Sequence, residues 1–117
     1  MEPTVSETLF SKIIDRVIPA DIVYEDEQCL AFRDINPQAP LHILVIPKQQ
    51  IAKITDANTD DQLLLGHLLL KAGEIAKQEG YGDAFRLIVN NGEAAGQTVF
   101  HLHVHILAGR NFSWPPG

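Results

Sequence analysis

The sequence predicts an α+β domain, an antiparallel sheet of about five strands carrying two helices. Three observations lead there. Two segments space their apolar residues as amphipathic helices do. Five short runs have the apolar and β-branched composition of strands. Most of the connections between them are short turns. With 117 residues, the chain has room for a single domain.

Residues 8–16, with Val17 just beyond, carry Leu9, Phe10, Ile13 and Ile14 at helical spacing, and Pro19 stops the helix. Ile22, Val23 and Tyr24 form a strand, Glu25, Asp26 and Glu27 a turn, and Cys29, Leu30, Ala31 and Phe32 the returning strand. Asn36, Pro37, Gln38, Ala39 and Pro40 have loop composition. Residues 42–46, β-branched and closed by Pro47, read as a strand buried on both faces. Thr59 and Gln62 have the spacing of a capping box that opens a helix over residues 63–79, ended by Gly80. That helix is apolar over an unusually wide face, and Gly66 and Gly73 lie on one side of it. The width predicts cover on two sides, by its own sheet and by a second copy of the chain; the alternative is a helix wedged within its own core. Residues 86–90 and 99–107 are the last two strands, joined by a loop containing Gly92 and Gly96.

Composition removes several function classes. Fifteen acidic residues against nine Lys plus Arg give a net charge of −6, and the basic residues are scattered. A nucleic-acid or anionic-membrane surface calls for clustered basic residues, so neither partner is expected. A small anion remains open. The single cysteine, Cys29, makes no internal disulfide and no Cys-rich zinc site. The start has no secretory signal and no apolar run is long enough to span a membrane, so a cytoplasmic location is expected. Residues 1–6 are expected to be a flexible terminus.

His101, His103 and His105 fall within five residues. On a strand, alternate side chains share a face, so Phe100, Leu102, Val104 and Ile106 are expected in the core and the three imidazoles together opposite them. Three readings compete. His-x-His can hold zinc, although His101 and His105 would lie roughly 13 Å apart along a strand, and the near acid is Glu93. A solvated polar face is the bland reading. The third is nucleophilic and acid–base catalysis on a phosphate ester or amide. A neutral imidazole attacks phosphorus while flanking imidazoles, one or both protonated, hold its oxygens. Just upstream, Gly92 and Gly96 would offer backbone N–H groups and Thr98 a hydroxyl to the same sheet edge.

The run His101-Leu102-His103-Val104-His105-Ile106-Leu107 matches the pattern His-φ-His-φ-His-φ-φ, with φ apolar, of the histidine triad superfamily. The segment from Ala31 through Arg33, Asp34, Ile35 and Asn36 to Pro40, the run from His42 to Lys48, Asn90-Asn91-Gly92, Gly96-Gln97-Thr98 and the tail Trp114-Pro115-Pro116-Gly117 all resemble its Hint branch, the histidine triad nucleotide-binding proteins. The resemblance covers nearly the whole chain.

It implies a five-stranded antiparallel sheet with two helices in one domain of residues 1–117, joined to a second copy as a ten-stranded sheet. It also implies a purine nucleoside 5′-phosphoramidase that cleaves the P–N bond of AMP or GMP amidates without a metal or cofactor. By that resemblance His103 is the nucleophile and forms a nucleotidyl-histidine intermediate that water resolves. His105 and Thr98 would contact the phosphate, and His101 would pair with His42. Asp34 would accept both ribose hydroxyls, while Phe10, Ile13, Phe32, Ile35 and Leu44 wall the base. Asn90 would lie beside the phosphate, and Gly96 and Gln97 would belong to the substrate-binding residues. Trp114, in the tail of residues 112–117, would reach toward the partner's site. Thr98 stands where Ser is common and Arg33 where a histidine flanks the pocket. The runner-up is a dinucleoside polyphosphate hydrolase of another branch, and a further alternative is a nucleotide-binding interaction module with little turnover.

Overall fold

A computed structural model describes residues 7–117; the terminus of residues 1–6 lies outside the described residues. Helix α1 is Leu9–Ile14 and α2 is Gln62–Gln78. The strands are β1, Ile22–Glu25; β2, Cys29–Arg33; β3, Leu41–Pro47; β4, Phe85–Ile88; and β5, Val104–Ala108. They form one antiparallel sheet in the order β1-β2-β3-β5-β4. The predicted α+β architecture is what the chain adopts. No helix among the described residues is long and apolar enough to cross a membrane.

Thr8 caps α1 by accepting from the Ser11 amide at 3.0 Å, while the Ser11 hydroxyl accepts from the Thr8 amide. The helix is shorter than expected. Arg16 takes a left-handed φ of 64°, and the Val17 amide folds back onto the Lys12 carbonyl, so the turn ends before Pro19 is reached. The cap ahead of α2 is also shifted. Asn58, rather than Thr59, accepts from the Asp60 amide, and the Asp61 carboxylate accepts from the Asn58 amide. A carboxylate is a stronger acceptor than the Gln62 amide oxygen, so the box forms one residue earlier.

All seven β3 residues are buried, as its composition predicts for a strand covered on both faces. Leu41, Ile43 and Val45 pack with Leu68, Ala72 and Ile75 of α2, whereas Leu44 and Ile46 pack with Phe10, Ile13 and Phe32 beneath α1. The final strand is the main correction. It begins at Val104, not at residue 99, so His101 and His103 precede it. Pro47 would face residue 102 in a longer ladder, and proline has no N–H to give. The Leu102 amide instead donates to the Ile51 carbonyl at 2.7 Å. Alternation therefore fails before residue 102. Phe100 is 42% exposed rather than in the core, while Leu102, Val104 and Ile106 are buried as expected.

Leu68 is fully buried at the centre of the α2 packing. Leu68→Ala is expected to destabilise the fold by about 3 kcal/mol, seen as a lower urea midpoint with an unchanged m-value.

Candidate active site

The site is assembled on the α1 side of the β3–β5 pair. Leu44 sits opposite His105 and His42 opposite Leu107, so His42 and His105 are diagonal neighbours on one face. His42 Nε2 lies 2.9 Å from His105 Nδ1. The expectation that His42 pairs with His101 is thus corrected: the register carries His101 past the end of the ladder. There its Nε2 donates to the Pro47 carbonyl at 2.7 Å. His101 is fully buried and its Nδ1 has no partner.

Partners that only donate or only accept fix the protons. The Gln38 amide donates to His42 Nδ1 at 3.0 Å, so the His42 proton sits on Nε2 and points at His105 Nδ1. His105 then carries its own proton on Nε2. His103 Nδ1 is 2.7 Å from the His101 carbonyl, to which it must donate, leaving the His103 Nε2 lone pair free. The His103 and His105 rings lie 4.9 Å apart, and Phe10 packs edge-on against His103 at the same distance. One nucleophilic nitrogen and one N–H donor therefore sit side by side.

Burial lowers the pKa of all four imidazoles, because desolvation penalises the charged form. For His105, neighbouring His103 and His42 add to the burial and the value falls to about 4. Nearby Asp34 pulls the other way on His42, His103 and His105 without overcoming burial. Protonated flanking imidazoles were the expectation; the cluster is instead neutral near pH 7.

The cleft in front of these rings is lined by the apolar Phe10, Ile13, Phe32, Ile35 and Leu44 and by the polar Asp34, Thr98, His103 and His105. Asp34 follows β2. Its Oδ1 accepts from the Asn36 amide at 2.8 Å and its Oδ2 lies 3.5 Å from His42 Nε2. Ile35 is on the rim, 97% exposed. Leu9, Ile18, Pro19, Ala20 and Val99 also line the cleft and were not foreseen. The apolar spacing of α1 was a signal for Leu9, whereas the Gln38 amide had none, since a backbone N–H is independent of residue type.

Other expected residues lie outside the cleft. Gln97 is buried and its amide braces the preceding loop, accepting from the Gly92 N–H and donating to the carbonyls of Ala52 and Val99. The Gly96 amide donates to the Glu93 carbonyl, so the expected phosphate-binding amides of Gly92 and Gly96 are both already used. Gly96, at φ 100°, supplies the left-handed turn beside the Asn90 side chain, and neither residue lines the cleft. The Arg33 guanidinium points to the α2 side, 2.8 Å from Glu79, although the residue borders the cleft. Trp114 is 83% exposed and away from this chain's own cleft.

A model of the HIT domain matches residues 15–112. The chain is 64% identical over 111 residues to an uncharacterized HIT-like protein of Synechocystis sp., covering 95% of this chain and 97% of that one. It is 50% identical over 117 residues to a 14 kDa zinc-binding protein of Zea mays, covering 96% and 89%. Among solved structures, a HIT family hydrolase from Legionella pneumophila superposes with a TM-score of 0.92 at 49% identity, over 95% of this chain and all of the other. One from Clostridium thermocellum gives 0.89 at 44% identity, over 94% and 96%. With the fold, the histidines and these likenesses agreeing, the chain belongs to the HIT domain family and has the architecture of its hydrolases.

Proposed function

We propose that the protein is a purine nucleoside 5′-phosphoramidase of the Hint type. The observation that carries this reading is the neutral His103 with its Nε2 lone pair directed away from the Nδ1–H···O=C bond to His101, beside the Nε2–H of His105. In the reading, His103 Nε2 attacks phosphorus of an AMP or GMP amidate. The P–N bond to the amine breaks as the P–N bond to imidazole forms, the amine takes its proton from solvent in the open cleft, and the His105 Nε2–H holds a phosphoryl oxygen. The positive charge gained by the His103 ring is met by the His101 carbonyl on Nδ1–H. Water then adds to phosphorus and the nucleotide leaves His103. The apolar wall of Phe10, Phe32 and Leu44 suits a purine, Asp34 suits a ribose diol, and the Thr98 hydroxyl suits a phosphate oxygen.

The zinc-binding name of the Zea mays relative raises a metal in the cleft. Asp34, His42 and His105 place three ligand atoms within 4.8 Å. This set does not fit well. The Gln38 N–H donates to His42 Nδ1, so the ring proton cannot move there and must stay on Nε2, the nitrogen a metal would need. A metal there would undo the alignment that the reading requires, so no step is routed through one.

A homodimer belongs to the same proposal. Leu63 and Leu70 are 87% and 69% exposed on the stripe that contains Gly66 and Gly73, and nothing lies within 4 Å of where a Cβ would sit at either glycine. Strand β4 ends the sheet, so its outer edge is available to extend it to ten strands. A helix wedged in its own core would not leave these leucines exposed. The tail of residues 112–117, held by Phe112 between Arg86 and Arg110, would then carry Trp114 toward the partner's cleft.

Turnover of adenosine 5′-monophosphoramidate tests the reaction. His103→Ala is expected to lose at least a hundredfold, and a loss below tenfold, about 1.4 kcal/mol in the barrier, refutes the nucleophile. Faster cleavage of diadenosine polyphosphates would favour the other branch, and tight nucleotide binding without turnover an interaction module. Sedimentation at micromolar concentration should show a dimer that Leu70→Glu splits; a monomeric wild type overturns the assembly. Acid provides a third check. His105 binds its proton near pH 4 when folded and near its ordinary value of 6.5 when unfolded, so the unfolded state takes up more protons between those pH values. Stability should therefore fall as pH drops from 6.5 toward 4, and a urea series on His105→Asn should be flatter.

A further inference from the structure

On the α2 side of the sheet, opposite the cleft, a second cluster of ligating side chains has no part in the proposed reaction. Asp26, in the β1–β2 turn, uses Oδ1 to accept from the amides of Gln28 and Cys29, both at 2.8 Å. That grip leaves Oδ2 facing α2, where Tyr24 Oη and His67 Nε2 each approach to 2.7 Å. Cys29 opens β2 and is fully buried beneath the same turn. Asp26, Cys29 and His67 each offer one ligand atom, and the three atoms lie within 4.8 Å of one another.

We propose that Asp26, Cys29 and His67 are a zinc site that clips the β1–β2 turn to α2. The donor set selects the metal. One sulfur, one imidazole nitrogen and one carboxylate oxygen suit Zn²⁺, whereas Ca²⁺ and Mg²⁺ call for oxygen alone. Zinc bonds of about 2.0–2.3 Å set tetrahedral donors roughly 3.3–3.6 Å apart, so the three atoms need only small shifts. His67 Nε2 and Asp26 Oδ2 open slightly, and the sulfur moves in.

The protons now filling that space are those the metal replaces. His67 Nε2 becomes a ligand when the single ring proton moves from Nε2 to Nδ1. The Cys29 thiol releases its proton to solvent. Burial, with Asp26 beside it, pushes the thiol up to about 12 in the free protein. A dication between sulfur and carboxylate reverses that penalty, because a coordinated thiol ionises. Tyr24 stays on the Asp26 carboxylate and steadies it. The charges facing the site are Lys71, over the Tyr24 ring and paired with Glu74 at 3.0 Å, and Lys48, paired with Glu25 at 2.7 Å. The Asp26 and His67 side chains are each 24% exposed, which leaves the fourth position to water and gives the ion a way in.

Titration of the full chain with Co²⁺ and Zn²⁺ at mildly alkaline pH decides the matter. One equivalent per chain is expected, with a thiolate-to-cobalt charge-transfer band and tetrahedral visible bands. Cys29→Ser should abolish the charge-transfer band. His67→Gln should weaken binding at least tenfold and remove the rise in thermal midpoint that Zn²⁺ produces in the wild type. His105→Asn should change neither. Binding without the thiolate band, binding that survives His67→Gln, or binding lost in His105→Asn overturns the proposal. If Cys29→Ser does not fold, the wild-type spectrum and His67→Gln still decide it.

Discussion

The antiparallel register between β3 and β5 is the constraint on which the rest of the cleft depends. It sets Leu44 opposite His105 and so makes His42 the diagonal neighbour of that ring. Side chains alternate with a period of two, so a slip of one residue would turn His105 into the α2 core and bring Val104 and Ile106 out in its place. Burial on both faces forbids that slip. The apolar residues that look structural therefore aim the catalytic candidates, and Val104 and Ile106 belong to the site in this indirect sense.

Pro47 shapes the other half of the arrangement. Its missing N–H ends the ladder, and its carbonyl receives His101 Nε2–H. Residues 99–103 are then held by side chains and loop contacts rather than by a neighbouring strand. Gln97 does most of this, joining the Gly92 amide to two carbonyls from deep burial. Bent in this way, the segment lets the His101 carbonyl reach back to His103 Nδ1. On a regular strand that carbonyl would face a neighbouring chain instead. The free lone pair of His103 follows from the break in secondary structure. Desolvation keeps it unprotonated, so neutrality costs no nearby cation.

The two faces of the sheet have different roles. The α1 face holds imidazoles, Asp34 and an apolar wall in a cleft open to solvent. The α2 face holds the larger core, and beyond it an exposed leucine–glycine stripe and the Asp26, Cys29 and His67 cluster. Arg33 links the two. The residue borders the cleft, while its guanidinium is paired with Glu79 at the end of α2.

Much of this was legible from sequence because it depends on local periodicity. The strand of residues 42–46, the hairpin turn at Asp26 and the wide face of α2 are each written in spacing alone. The His-φ-His-φ-His run marked the imidazole cluster for the same reason. Which imidazole meets His42, where β5 begins and whether the amides of Gly92 and Gly96 are free are decided by partners distant in the chain. Gln97 reads as a polar loop residue until Ala52 is folded beside it, and Gln38 acts through an N–H that any non-proline residue would carry. Element types, core faces and the imidazole cluster are encoded in side-chain period and composition. Proton positions and pairings are not encoded there. Those follow from register and desolvation, which exist only once the strands have met.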